Sequence, residues 1–249
     1  MEITGYSERG MINSLFYEIN YLPGNQALLN EFISLVSFPY RDVHFKLKND
    51  VKILIEQSFS DFGVADAVLL INNDGHKQSV FIEAKVKTSH RKFRSLDKEF
   101  NDFKHGLKDE VDSSNLFTQL YHKTRLFKKL QSGGTAALEE LKEKGIPFPQ
   151  CSTKKIRKIG KNGVVLRAVN IILGEYLDDA FFVALVPVDP SDAKRFYEMD
   201  FKNYNPPDFQ DWSIKNWGYL TWKDVEDFCR KNDLKATQRN FQFNQGQIF

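Results

Sequence analysis

The chain has 249 residues, of which 41% are apolar, 14% aromatic and 27% charged, with 35 Lys and Arg against 33 Asp and Glu. That is the composition of a folded globular protein with material for one well-filled core, and it excludes a disordered or low-complexity polymer. The longest apolar runs, Val169 to Leu173 and Phe181 to Val188, are far short of the roughly 20 residues a membrane helix needs, so no bilayer span is expected.

The opening MEITGYSERG lacks a basic segment followed by an apolar run, which reads as no secretory signal and a cytoplasmic location. After Ser7, an N-cap candidate, Met11, Ile12, Leu15, Phe16 and Ile19 recur with helical spacing, which predicts an amphipathic helix over 7–20. LPGN breaks that pattern, and a second helix is expected over 26–38, ended by Pro39.

Three runs rich in Val, Ile and Phe follow, VKILIEQSF (51–59), GVADAVLLI (63–71) and SVFIEAKVK (79–87). They read as consecutive strands, the last two joined by a tight hairpin at NNDGHK. Helical patterns follow at 113–131 and 136–144, with Gly133 and Gly134 expected in a loop between them. A further strand pair is expected at Val164 to Leu173 and Phe181 to Val188. Beyond Pro190 come a short helix, an aromatic loop and a helix from Thr221 to Lys231. The aromatic residues from Phe209 to Trp222 can stack on bases, but packing of this extension is the plainer reading. No internal repeat is present. Cys151 and Cys229 form no CxxC spacing, and the five His residues are scattered, so neither a disulfide framework nor a zinc site is indicated.

Chemistry concentrates in the strands. Alternation along SVFIEAKVK places Phe81, Glu83, Lys85 and Lys87 on one face and Val80, Ile82, Ala84 and Val86 on the other. The hairpin through Asp74 and Gly75 brings Asp66 alongside Glu83 and Lys85. Charges among apolar strands must be compensated, because a buried carboxylate without partners is costly. One compensation is a Lys85 ion pair. Another is Mg²⁺ (or Mn²⁺), which takes oxygen ligands such as Asp66, Glu83 and the Ala84 carbonyl, with Lys85 expected to orient or help deprotonate a bound water and to offset negative charge developing on the scissile phosphate.

With Asp66 on one strand and Glu83-Ala84-Lys85 on the next, behind an amino-terminal helix, the sequence resembles the PD-(D/E)xK nuclease superfamily. The resemblance covers about residues 5–190, and Ala65 stands where the motif's name has Pro. It implies an α/β fold with a restriction-endonuclease-like core, a mixed central sheet flanked by helices, in a single domain with a carboxyl-terminal extension at 191–249. It also implies a Mg-dependent deoxyribonuclease leaving a 5′-phosphate and a 3′-hydroxyl, with Asp66, Glu83 and Lys85 as catalytic residues. Many members place a further Glu on the first helix, matched here by Glu8, with Glu18 as its competitor; Glu8 joins the catalytic and metal-binding set. Some carry Gln or Lys on the helix after the third strand, where Gln119 and Lys123 stand one turn apart.

Three segments, Lys85 to Arg94, Gln119 to Leu130 and Lys154 to Lys161, hold fourteen basic residues and no acidic one, leaving the remaining chain acidic. They are expected to form a DNA-binding face, with Lys87, Arg91, Lys92, Arg94, Gln119, Lys123, Lys154, Lys155, Arg157 and Lys158 meeting phosphates. Two alternatives share these residues: a catalytically inactive nucleic-acid-binding module on a nuclease-like fold, and an interaction protein in which the charged set is an ion-pair network.

Overall fold

The computed structural model describes residues 5, 7–47, 51–87, 93, 95–109 (backbone alone at 106–109), 114–147, 156–204 and 213–248. Eight α-helices and seven strands occur among them. The first two helices are α1 (Ser7–Tyr21) and α2 (Asn25–Ser34), followed by strands β1 (Lys52–Ser58), β2 (Val64–Asn73) and β3 (His76–Ala84). Helices α3 (Leu96–Asp109) and α4 (Leu116–Glu143) precede the two-residue strands β4 (Ile146–Pro147) and β5 (Ile156–Arg157). The chain continues through α5 (Gly163–Glu175), β6 (Asp179–Val186), α6 (Pro190–Phe196), β7 (Trp217–Thr221), α7 (Trp222–Lys231) and α8 (Lys235–Phe243).

Five strands form one mixed sheet in the order β1-β2-β3-β6-β7. The first three are antiparallel neighbours, while β6 runs parallel to both β3 and β7. The β2–β3 hairpin closes at Asn73 and His76, with Asp74 at φ 55° and Gly75 at φ 96°. Two successive positive φ values define the tight turn whose twist matches paired strands, as NNDGHK predicts.

Strand alternation divides the sheet's side chains between two cores. On one face Val68, Leu70, Phe81 and Phe182 pack against α3, α4, α5 and α6. On the other Ala67, Leu69, Val80, Ile82 and Ala84 pack against α1, α2, α7 and α8. The protein is therefore a three-layer α/β structure with a sheet buried on both sides, which is why its central strands are nearly continuous apolar runs. Among the described residues no helix is long and apolar enough to cross a membrane.

Several sequence expectations need correction. Val164 to Leu173 is not a strand but most of α5, capped by Asn162, whose side chain accepts the Val164 and Val165 N–H groups. Its buried Val165, Ala168, Val169 and Ile172 keep a helical period that the β-branched composition obscures. The two helical patterns expected at 113–131 and 136–144 are the two arms of α4, which meet at Gly134, whose φ 52° and ψ −134° are not helical, so the break falls at the Gly133-Gly134 pair as the sequence indicates. The helix expected to reach residue 38 ends at Ser34. The aromatic stretch contains β7, every residue of which is buried. The extension beyond residue 190 thus supplies an edge strand of the central sheet and two helices of its second core.

Candidate functional site

Extending the β2–β3 register by one residue beyond the Ala67–Ile82 pair sets Asp66 opposite Glu83. Both lie at the sheet end where β3 finishes, and their side chains share the face covered by α4. Asp66 is 7% and Glu83 2% exposed. The Ala84 N–H donates to Asp66 Oδ2 at 2.7 Å, fixing that carboxylate to the strand carrying its partner. Beyond Ala84 the Lys85 N–H still donates to the Leu185 carbonyl at 2.9 Å, which keeps Lys85 in line with the sheet.

Two lysines divide the Glu83 carboxylate. Lys85 Nζ lies 3.3 Å from Oε1, and Lys123 Nζ, from α4, lies 3.2 Å from Oε2. Lys123 also donates to the Val64 carbonyl at 2.8 Å, and Lys85 donates to Gln119 Oε1 at 2.5 Å. Helical spacing on α4 thus delivers Gln119 and Lys123 to the same place. Gly63, at φ 86°, makes room for Lys123, since a Cβ there would stand 3.2 Å from Nζ.

The electrostatics follow from this packing. Burial first, and then the facing Glu83, push Asp66 up to about 7 against the opposing pull of Lys85 and the Ala84 N–H; Glu8 raises it further. For Lys85, burial acts downward, but Glu83, Asp66 and Glu8 outweigh it and its pKa rises. Lys123, more deeply enclosed, is lowered by burial, with Glu83 opposing and Lys85 adding to the effect. Glu8 therefore stands within electrostatic reach of Asp66 and Lys85 from the first turn of α1. Its competitor Glu18 is engaged elsewhere, accepting the N–H groups of Ala236 and Thr237 and the Thr237 hydroxyl at the start of α8.

The structure thus brings together Asp66, Glu83, Ala84, Lys85, Gln119 and Lys123, with Glu8 acting on Asp66 and Lys85 through its charge. Lys123 must be corrected as a phosphate ligand: it has no exposed surface and is spent on Glu83. The rest of its segment is not a solvated face either, since His122 and Arg125 are buried and Lys129 pairs with Glu140 at 2.6 Å. Arg157 donates to the Asp61 carbonyl, and the Lys158 N–H to the Asp61 carboxylate at 2.9 Å, in the turn that leads into β2. Lys87 is half-buried, its N–H bonded to the Gln247 carbonyl at 2.5 Å. Arg91, Lys92, Arg94, Lys154 and Lys155 lie outside the described residues. Trp217, Tyr219 and Trp222 are core residues rather than exposed stacking platforms. Sequence reasoning misses Trp222, whose Nε1–H donates to the Lys85 carbonyl at 2.8 Å; no spacing or motif announces a bond across 137 positions.

Among the described residues, no group of three or more His, Cys, Asp or Glu side chains is gathered tightly enough to hold a metal ion. What the site offers a cation is a facing pair of carboxylates with two ammonium groups beside them. The fold and this cluster define an α/β protein with a charged site at one end of a mixed five-stranded sheet. Comparison with protein-family models, curated proteins and solved structures finds no match.

Proposed function

We propose that the chain is a metal-dependent nuclease of the PD-(D/E)xK type, hydrolysing DNA phosphodiester bonds. The observation carrying this reading is the placement of Asp66 opposite Glu83 across β2 and β3, with Lys85 two residues on and Glu8 in electrostatic reach. The donors fit a hard divalent cation, being carboxylate and carbonyl oxygens, and the raised pKa of Asp66 marks a carboxylate whose negative charge a cation would stabilise. Asp66, Glu83 and the Ala84 carbonyl would hold Mg²⁺ or Mn²⁺, with Glu8 from the helix side. When bound, the ion supplies charge neutralisation and activation of the attacking water.

The chain's own residues do the positioning. Gln119 and Glu83 hold the Lys85 ammonium from two directions, and its raised pKa keeps it cationic. Its part is accordingly to offset negative charge developing on the phosphate rather than to take a proton. Lys123, for which Gly63 leaves room, holds the second Glu83 oxygen.

Of the two non-catalytic readings, a nucleic-acid-binding module and an interaction protein whose charged set is an ion-pair network, the second is favoured by one feature: both Glu83 oxygens already have an ammonium partner. Calorimetry with Mg²⁺ or Mn²⁺ separates both from the nuclease. Binding by the wild type that is lost in Asp66→Ala, together with cleavage of linear, circular or single-stranded DNA in Mn²⁺, supports the nuclease. No binding and no cleavage leaves the two non-catalytic readings.

A further inference from the structure

The carboxyl-terminal extension lies outside the resemblance, yet it touches the charged site from two sides. Asn240 of α8 and Asn244, which follows its last turn, are 3% and 2% exposed. Asn240 Oδ1 accepts the Gly5 N–H at 2.8 Å, and Asn244 Oδ1 accepts the Ser7 N–H at 3.2 Å. Asn244 Nδ2 donates to the Gly5 carbonyl at 2.8 Å. These bonds grip the chain on the approach to Glu8. That segment is tightly folded: a Cβ on Gly5 would stand 2.6 Å from the Gly10 Cα, and Ser7 adopts φ 66°. A left-handed serine at a helix start persists where its surroundings impose it, and here Asn244 does so.

On the other side Trp222, the first residue of α7, donates to the Lys85 carbonyl, and the Gln247 carbonyl receives the Lys87 N–H. The extension is itself anchored to α1 through Glu18, which caps α8, and through the Ser14 and Thr237 hydroxyls at 3.4 Å. Buried amides that read backbone groups specify geometry in a way that apolar packing does not, because any displacement leaves them unsatisfied.

We propose that α7, α8 and the tail form a clasp that positions the charged site, Asn240 and Asn244 setting Glu8, Trp222 setting Lys85 and Gln247 holding Lys87 just beyond it. That Glu8 and Lys85 serve cleavage rests on the nuclease reading; that the clasp sets where they stand does not. Asn240 and Asn244 are thus positioning residues acting through Glu8.

The test compares Glu8→Gln, the double variant Asn240→Leu/Asn244→Leu, and all three substitutions together. Cleavage in Mn²⁺ is expected to fall about tenfold in the first two and by no more than about twofold further in the third, the non-additivity of groups acting as a unit. Losses that multiply overturn the proposal, since they mean the asparagines act on the fold at large. A second readout uses neither DNA nor metal: amide hydrogen exchange in full-length protein. Exchange from Glu8 to Ile12 should quicken at least about tenfold in the asparagine variant while that of the central strands stays unchanged, and unchanged exchange at the start of α1, or equal quickening throughout the sheet, sinks the clasp. If the wild type cleaves no substrate, the nuclease reading fails and the exchange measurement alone decides the clasp. Asn244→Leu alone, which keeps the Asn240 bond to Gly5, carries both readouts should the double variant not fold.

Discussion

The ammonium of Lys123 lies 3.2 Å from Oε2 of Glu83 with essentially no surface of either side chain exposed. Such a pair has given up most of its hydration, so its net contribution is small while the cost of breaking it is large. Lys123→Met should therefore destabilise the protein by about 3–5 kcal/mol, because it leaves Glu83 Oε2 and the Val64 carbonyl without a donor where no water reaches them, even with Lys85 still on Oε1. Lys85→Met, at a side chain 18% exposed and with a second cation left on Glu83, should cost far less. Denaturant midpoints of the two variants check the ranking, and equal losses would contradict it.

Asp66 makes stability depend on pH. Its folded pKa of about 7 lies above the ordinary 3.8, so between these values the unfolded chain releases a proton that the native state retains. Stability should then fall as pH rises from about 4 to 7 and level off above, with an upper bound of about 4 kcal/mol from one group shifted by about three units. Urea unfolding in EDTA at pH 5 and 8 measures this, and Asp66→Asn should flatten the profile. Added Mg²⁺ or Mn²⁺ should stabilise more at pH 8 than at pH 5, because ion and proton compete for the same carboxylate.

What the sequence discloses, and what it hides, divides along physical lines. The β2–β3 hairpin and the shared face of Phe81, Glu83 and Lys85 are legible because a period of two and an Asx-Gly turn are local signals. Gln119 and Lys123 are legible as a helical pair, but not as a buried one; a charge count treats every lysine as solvated, and only the meeting of α4 with β3 shows that Lys123 belongs to Glu83. Helix α5 reads as a strand because Val164, Val165, Val169, Ile171 and Ile172 favour one by composition, while tertiary burial selects the helix. Trp222, Asn240 and Asn244 stay hidden altogether, since each bonds backbone groups far away in the chain and a backbone group carries no residue-specific signature.

The nuclease reading makes a chemical prediction in which the acidic and basic members differ. Lys85→Ala should abolish cleavage while leaving metal affinity and fold nearly unchanged, because it removes a charge needed mainly in the transition state. Asp66→Ala and Glu83→Gln should lose metal affinity instead, and Glu83→Gln should also destabilise by leaving Lys85 and Lys123 without their carboxylate. Cleavage assays paired with Mn²⁺ calorimetry distinguish the classes. Undiminished wild-type cleavage in EDTA would end the metal-dependent reading.

The last prediction concerns the basic segment from Lys154 to Lys161, and the structure changes which residues should carry it. Arg157 and the Lys158 backbone are tied to Asp61, in the turn immediately before β2, so this part of the segment is held near the strand that delivers Asp66. A polyanion approaching two carboxylates needs positive charge around the entrance, and a segment anchored there can provide it. Arg157 is committed to that anchorage, so its replacement would confound binding with folding. Neutralising Lys154, Lys155 and Lys158 while keeping Arg157 is the cleaner test. Duplex affinity should weaken without regard to sequence, and the slope of log affinity against log salt should fall by roughly 0.9 for each phosphate no longer neutralised. An unchanged slope would assign the segment to the anchoring of the turn at Asp61 and remove it from the DNA-binding face.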